Sequence, residues 1–301
     1  MLSSARAYIS LSIGAAAATI VLKVAAWRIT GSLGLLSDAL ESGVNLLGSV
    51  AGFWALGLAA KPPDRDHPYG HSKAEYFASG LESALILVAA AAIAVTAVGR
   101  LLAPAPLEQL GAGLALSLVA SGLNALVAWQ LLGASRRFHS ITLRADAQHL
   151  LTDVWTSLGV VLAVGVVQLT GQPILDPLIA IAVALNIVVT GWRLMGETAS
   201  GLLDQAWPEA EQRQLKDLLA AHTGEGLAVH ALRTRMAGSR RFVGFHLLVP
   251  GHWSVQRGHD LCEHLEREII AALPRTDVIT HLEPIEDPRS WQDAGSRWDE
   301  S

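Results

Sequence analysis

Ser37-Asp38-Ala39-Leu40-Glu41-Ser42-Gly43-Val44-Asn45 and Asp146-Ala147-Gln148-His149-Leu150-Leu151-Thr152-Asp153 set polar side chains on one plan inside two otherwise apolar runs. In each run the polar groups recur at i, i+3 and i+7: Asp38, Glu41 and Asn45, then Asp146, His149 and Asp153. At ~100° of rotation per residue these stay within about 60° of one another, so each run, as a helix, carries one polar stripe. Carboxylate, amide and imidazole groups are costly in hydrocarbon unless partnered, and two such stripes facing each other describe a cation site.

The surrounding composition supplies the hydrocarbon. Of 301 residues, 51% are hydrophobic and only 16% charged, where a soluble chain carries about 25%. The deficit falls in the first two thirds, which are rich in Ala, Leu and Val; the last third is charge-rich. This asymmetry predicts a membrane domain followed by a soluble one. A formal net charge of -5 and the lack of a long basic run argue against a nucleic-acid partner. One cysteine, Cys262, excludes a disulfide framework within the chain and a cysteine-based metal cluster. The first apolar stretch lacks a signal-peptide cleavage region and is expected to be a retained span.

With ~20 apolar residues per crossing, six spans are expected near 8–27, 32–58, 79–100, 107–132, 142–169 and 175–198. Lys23 interrupts the first and is expected near an end or snorkelling. An Ala-rich soluble bundle would not need six windows of this length. Arg6, Lys61, Arg65, Lys73, Arg136, Arg137 and Arg144 flank one face, against Arg28 and Arg100 on the other. This bias places both termini, the 59–78 and 133–141 loops and the tail in the cytoplasm. The expected organisation is a six-helix transmembrane transport domain over 1–206, a cytoplasmic metal-binding domain over 207–287 and a flexible tail over 288–301.

The soluble part reads helix, strand, strand, helix, strand. Pro208 to Ala221 starts with Pro and acidic residues, as helices prefer. Val229–Met236 and Arg241–Val249 are strands around the turn Gly238-Ser239, although Phe242 and Phe245 do not alternate cleanly. Ser254–Leu273 is a helix stopped by Pro274, and Asp277–Pro284 a short strand. Such an order suits a small open sheet with helices on one face.

Glu41, Asn45, His149 and Asp153 offer four donors, two from each helix at i,i+4, enough for a tetrahedral site for a first-row dication. Helix–helix hydrogen bonding explains Asn45 and Thr152 equally well, but not three aligned ionisable groups. Asp38 and Asp146 lie nearer the helix starts and suit a mouth or capping role as well as ligation. In Pro62-Pro63-Asp64-Arg65-Asp66-His67-Pro68-Tyr69-Gly70-His71, a metal site and a rigid charged turn both fit. In the tail, His230, His246, His259 and His281 fall on separate elements. Glu283 is two residues after His281 and so on the same strand face; nothing local in sequence forces these together.

The chain resembles the cation diffusion facilitator family, particularly bacterial zinc and ferrous-iron efflux antiporters, across residues 1–287. The likeness rests on Ser32 through Glu41, on Asp66-His67-Pro68-Tyr69-Gly70-His71-Ser72-Lys73-Ala74-Glu75, and on His149 through Asp153. In the tail, Leu202-Leu203-Asp204 and Leu232-Arg233-Thr234-Arg235 match as well. The resemblance implies six transmembrane helices, a ferredoxin-like cytoplasmic metal-sensing domain and a homodimer in a bacterial inner membrane. It assigns transport to Glu41, Asn45, His149 and Asp153, and a loop site to Asp64, His67 and His71. It implies tail sites at His230, His246, His259, His281 and Glu283, and a charge pair, Lys73 and Asp204, holding the membrane halves together.

Two departures stand out: Glu41 and Asn45 replace the Asp or His and the Asp usual in zinc-type members, and Glu283 replaces Asp. With neutral His149 the membrane site has two formal negative charges where three are usual, which also suits manganese or ferrous iron. The expected function is proton-coupled export of zinc, ferrous iron, manganese or cobalt, the metal being substrate and regulatory ligand, with no prosthetic group. A passive divalent-cation channel predicts flux without proton coupling. A membrane-embedded metalloenzyme lacks a nucleophile or general base beside the stripes, and a pure metal sensor leaves six spans with ligands inside two of them unexplained.

Overall fold

The two composition regimes become two units in the computed structural model, Met1–Ser200 and Gly201–Ser301. The structure describes residues 4–30, 33–103, 111–172, 174–224 and 226–291; inside the helices, the side chains at 30, 33–41, 44–45, 111–114, 160–161, 163–165 and 168 are outside the description. The first unit holds α1 (Ala5–Thr30), α2 (Leu33–Ala59), α3 (Ala74–Leu102), α4 (Gly111–Phe138), α5 (Ile141–Thr170) and α6 (Leu175–Leu202). Among the described residues α1, α3, α4 and α6 are long and apolar enough to cross a membrane.

Burial in this unit is inverted relative to a soluble protein. Val21, Val95, Trp129 and Trp192 are all at least 68% exposed. Ser12, Thr19, Ser49, Glu82, Asn124, Asp146, His149 and Asp153 are at most 4% exposed. Apolar surface outward and polar groups inward is the arrangement hydrocarbon selects. Lys23 departs from expectation. It neither snorkels nor sits at an end; it lies well inside α1, 1% exposed, where its Nζ donates to Ser42 Oγ at 2.7 Å and to Asp153 Oδ2 at 3.4 Å.

Helix α1 packs on α2 and α4, and α5 on α3 and α4. Tyr8, Ile9, Leu131, Leu143 and Leu150 form one core; Ile86, Ala90, Ala145, Ile187 and Leu194 form another that seats α6. Polar links supplement the second: Ser79 Oγ and Thr198 Oγ1 are 2.7 Å apart, and Arg144 pairs with Glu197 at 2.7 Å. Ser140 caps α5 by accepting from the Leu143 N–H. At its far end Gly171 adopts φ +69° and closes the last turn onto the Val167 carbonyl, a conformation glycine reaches without strain.

The second unit contains α7 (Glu209–Ala220), β1 (Ala228–Ala237), β2 (Arg240–Val249), α8 (Val255–Ala272), β3 (Thr276–Pro284) and a 3-10 turn, Pro288–Trp291. The sheet order is β1-β2-β3, with β2 antiparallel to β1 and parallel to β3. Among the described residues this is one strand fewer than the full ferredoxin-like β-α-β-β-α-β order. Val243, Phe245, Leu247 and Val249 alternate along β2 onto Leu215, Leu219, Leu265 and Ile269 of the helices. Phe242 has the opposite parity, so it lies on the other face, where Arg235 stacks on its ring at 4.1 Å. That resolves the broken alternation: the two phenylalanines serve different faces.

A register shift between His230 and Arg233, with Ala231 at φ +51°, marks a bulge in β1. Because of it Val229 and Leu232, of opposite parity, both pack on the core. Trp207, preceding α7, is buried; its Nε1 donates to the Arg235 carbonyl at 3.1 Å and its own carbonyl accepts from Gln212 at 2.6 Å. In the segment expected to be a loose tail, Trp291 Nε1 donates to the Ile285 carbonyl at 2.9 Å; residues 292–301 lie outside the described residues.

Candidate metal centres

Helix α5 buries Asp146, His149 and Asp153, the three polar groups of its expected stripe. Positions 38, 41 and 45 are on α2, and the side chains of Asp38, Glu41 and Asn45 lie outside the described residues. Their neighbours on the helix locate the seam. Ser42, three residues before position 45, is joined through Lys23 to Asp153. Ser49, four residues after it, donates to Asp146 Oδ1 at 2.6 Å. The turn of α2 between these serines therefore runs beside the turn of α5 that carries His149, the two helices being antiparallel.

Three more buried polar side chains converge here from other helices. Asn124 of α4 donates from Nδ2 to Asp153 Oδ2 at 3.1 Å. Lys23 arrives from α1. Glu82 of α3 is hydrogen-bonded through Oε2 to the Nδ1 of His149. Asp153 Oδ2 thus meets an ammonium and an amide, and His149 a carboxylate. Asp146 Oδ2, Glu82 Oε1 and Asn124 Oδ1 are buried with no hydrogen-bond partner among the described residues. Polar atoms in that state are expensive and make a ready donor set for an ion.

In the loop before α3, Asp64, His67 and His71 bring one donor atom each within 4.8 Å of the others. Asp64 Oδ1 accepts from the backbone N–H of His67 at 2.7 Å and of Asp66 at 3.0 Å. Gly70, at φ +83°, completes the turn. The His67 N–H holds the Asp64 carboxyl below the usual carboxylate range. A rigid turn and a metal-ready triad are therefore the same object: the backbone bonds that make the turn also aim the ligands.

Across the sheet, His230 pairs in register with His246, and His246 with His281, so three imidazoles form one row on the face away from the helices. Ring centroids are 5.0 Å and 4.7 Å apart. Glu283 Oε2 lies 3.1 Å from His230 Nε2 and 3.2 Å from His246 Nδ1, and its Oε1 lies 3.7 Å from His281 Nδ1. His259 is exposed on α8 and is not part of this group. Asp204 accepts from Arg235 Nη1 at 3.3 Å, and Lys73 stands at the start of α3.

Sequence models of two domains match in the same order as the units. The cation efflux transmembrane domain matches residues 9–203, and the cytoplasmic domain of cation efflux proteins matches 207–285. The chain belongs to the cation diffusion facilitator family. As a cation diffusion facilitator it is a multi-pass membrane transporter for cation efflux with a small α+β cytoplasmic domain. It is 56% identical over 288 residues to an uncharacterized transporter of Synechocystis sp., covering 96% of this chain and 93% of that one. It is 29% identical over 269 residues to the cation-efflux pump FieF of Salmonella schwarzengrund, covering 89% of each. A solved structure of the transporter CzrB is 39% identical, covering 26% of this chain and 96% of that one, with a TM-score of 0.25.

Sequence inspection of this cation diffusion facilitator did not find Lys23, Glu82 or Asn124 as site residues. Each lies on a buried polar stripe of its own helix, Glu82 with Glu75 and Ser79, Asn124 with Ser117 and Ser121, Lys23 with Ser12 and Thr19, but serines and threonines make up most of these stripes and dilute the signal. The available signal was weaker but real: an ionisable residue inside a spanning run marks a functional position by default. A third group was also missed, His222, His264 and Glu268, whose donor atoms lie within 4.8 Å of one another in the cytoplasmic unit.

Proposed function

We propose that this chain exports a divalent transition metal from the cytoplasm in exchange for protons, as a six-span homodimer of the bacterial inner membrane with both termini cytoplasmic. The observation that carries this reading is the burial of Asp146, His149 and Asp153 on one stripe of α5, against the turn of α2 that holds position 45. Glu41, Asn45, His149 and Asp153 form the transport site. Ligation needs a neutral imidazole and ionised carboxylates, so proton and metal compete for one set of lone pairs. Rocking of the helices about that site would open it to one face and then the other.

Asp64, His67 and His71 form a loop site. The His230, His246, His281 and Glu283 face forms the tail site, which metal would use to tighten the dimer; Lys73 and Asp204 act as the dimer's charge pair. Zinc suits the nitrogen and oxygen donors, and the small number of anions keeps manganese, ferrous iron and cobalt as substrates.

The test is metal uptake into proteoliposomes with an imposed pH gradient, using zinc, manganese, ferrous iron and cobalt in turn. Uptake should follow the gradient and alkalinise the lumen in step, as protons leave in exchange for the metal. Metal current without proton movement would identify a channel, and no flux of any of the four would reject transport here. A second expected result concerns the tail. Zinc at a hundredfold above its dissociation constant stabilises the domain that binds it by about 2.7 kcal/mol. Glu283→Ala, by removing the carboxylate shared by His230 and His246, should weaken binding at least tenfold. At the same zinc concentration it should forfeit about 1.4 kcal/mol of that gain, measured by thermal unfolding with and without chelator.

A further inference from the structure

Glu82 lies on α3, outside every ligand motif of the sequence, yet its carboxylate is wedged between the two helices that carry them. It is 1% exposed. Its Oε2 engages His149 Nδ1, and its Oε1 lies so close to α2 that a Cβ placed on Gly48 would be 2.5 Å from it. Gly48 is three residues beyond position 45, one helical turn away. A side chain at 48 would force this carboxylate to shift. Nothing else among the described residues hydrogen-bonds its Oε1.

We infer that Glu82 belongs to the membrane metal site, as the positioning carboxylate of His149 and as the negative charge that Asn45 does not provide. This rests on reading Glu41, Asn45, His149 and Asp153 as the transport site. A carboxylate on Nδ1 fixes the imidazole tautomer and turns the Nε2 lone pair toward the ion, the usual arrangement behind a ligating histidine. The Glu82 carboxylate also adds an anion to a seam in which Asn45 brings none and the buried Lys23 brings a positive charge.

The test uses full-length protein in nanodiscs and proteoliposomes, with zinc and manganese as probes. Glu82→Gln keeps the shape and removes the charge, and should weaken metal affinity at the membrane site 10- to 100-fold, with KM rising accordingly. Adding Asn45→Asp to that variant should recover most of the loss, because an anion is returned one turn away. Gly48→Ala, which displaces the carboxylate without discharging it, should resemble Glu82→Gln. A purely structural Glu82 would lower thermal stability with no recovery from Asn45→Asp, and that result overturns the inference. Unchanged affinity in Glu82→Gln, with His149→Ala inactive, also overturns it while leaving the transport site standing. If His149→Ala also behaves as wild type, the transport-site reading itself fails.

A separate cluster in the cytoplasmic unit leads to a second site. His222 follows α7 in a turn closed by its N–H on the Leu219 carbonyl at 3.0 Å. Its Nε2 is 2.6 Å from Glu268 Oε2, and His264 Nε2 is 3.8 Å from the same oxygen. His264 and Glu268 are i,i+4 on α8. His264 is exposed to the same degree as His67 of the loop group, 57% in each case. We propose that His222, His264 and Glu268 bind a first-row dication through two nitrogens and one oxygen, with water completing four-coordination, so that the ion ties the end of α7 to α8. Zinc equilibrated with the full-length protein and counted per subunit should fall by one equivalent in His222→Ala with His264→Ala. His264→Ala alone should weaken that equivalent. Unchanged stoichiometry and affinity in both variants would overturn the site.

Discussion

Asp153→Ala should abolish metal transport and, in the absence of metal, destabilise the membrane unit by about 3–5 kcal/mol, the cost of breaking a buried ion pair by removing one member. The transport loss follows from removing a ligand of the proposed transport site. The stability loss follows from the broken ion pair: the Lys23 ammonium is buried with Asp153 Oδ2 at 3.4 Å and Ser42 Oγ at 2.7 Å, and a hydroxyl does not replace the counter-charge of a carboxylate. Asn124 loses its acceptor as well. Two effects on two readouts allow a clean separation. Lys23→Met combined with Asp153→Leu replaces the pair by apolar groups of similar volume and should regain most of the stability, with transport still absent. Thermal unfolding of the detergent-solubilised protein and vesicle uptake, run on the same preparations, measure both. A stability change under about 1 kcal/mol in Asp153→Ala would show that Lys23 finds adequate company elsewhere, since exposed pairs are worth no more than that.

Trp207→Ala should cost the cytoplasmic unit about 3–5 kcal/mol, the range for removing a large buried aromatic side chain. Trp207 is 2% exposed and packs against the cluster formed by α7, α8 and the inner face of β2. Its indole N–H also satisfies the Arg235 carbonyl. Trp207→Phe keeps much of the packing but leaves that carbonyl unpaired, for a smaller loss of about 1–3 kcal/mol. Amide exchange along β1 and β2 of the full-length protein reads the difference: both strands should open more readily in the Ala variant, and the Phe variant should fall between. Equal protection in all three would mean that Trp207 closes the domain without stabilising it.

Much of this architecture was legible in the sequence because it depends on periodicity. The stripe of α5 was readable from 3.6-residue repetition, and the order of tail elements from Pro274, Gly238 and the capping residues. The hidden parts break periodicity or combine distant positions. The bulge at Ala231 reverses the alternation of β1, and it is this reversal that lets His230 share a face with His246 while Leu232 reaches the core. A single inserted residue leaves no local mark. Glu82 and Asn124 join the site through packing of α3 and α4 on α5, which no one-helix pattern encodes. Lys23 was visible but misjudged: snorkelling is the usual escape for a lysine in an apolar run, and a buried carboxylate made escape unnecessary. The loop was undecidable between turn and ligand cluster because both use the same Asp, His and Gly residues.

Lys23 also bears on what the transporter admits. Its amine already neutralises Asp153 when no metal is present. A singly charged ion such as sodium or potassium would only replace one unit charge by another and lose its hydration shell in the exchange. An ion of charge two brings attraction to spare, both to evict the amine and to be dehydrated. If Asp153 ligates the ion as proposed, the helix that contributes no ligand would act as a valence filter, disfavouring monovalent ions before any question of coordination geometry arises.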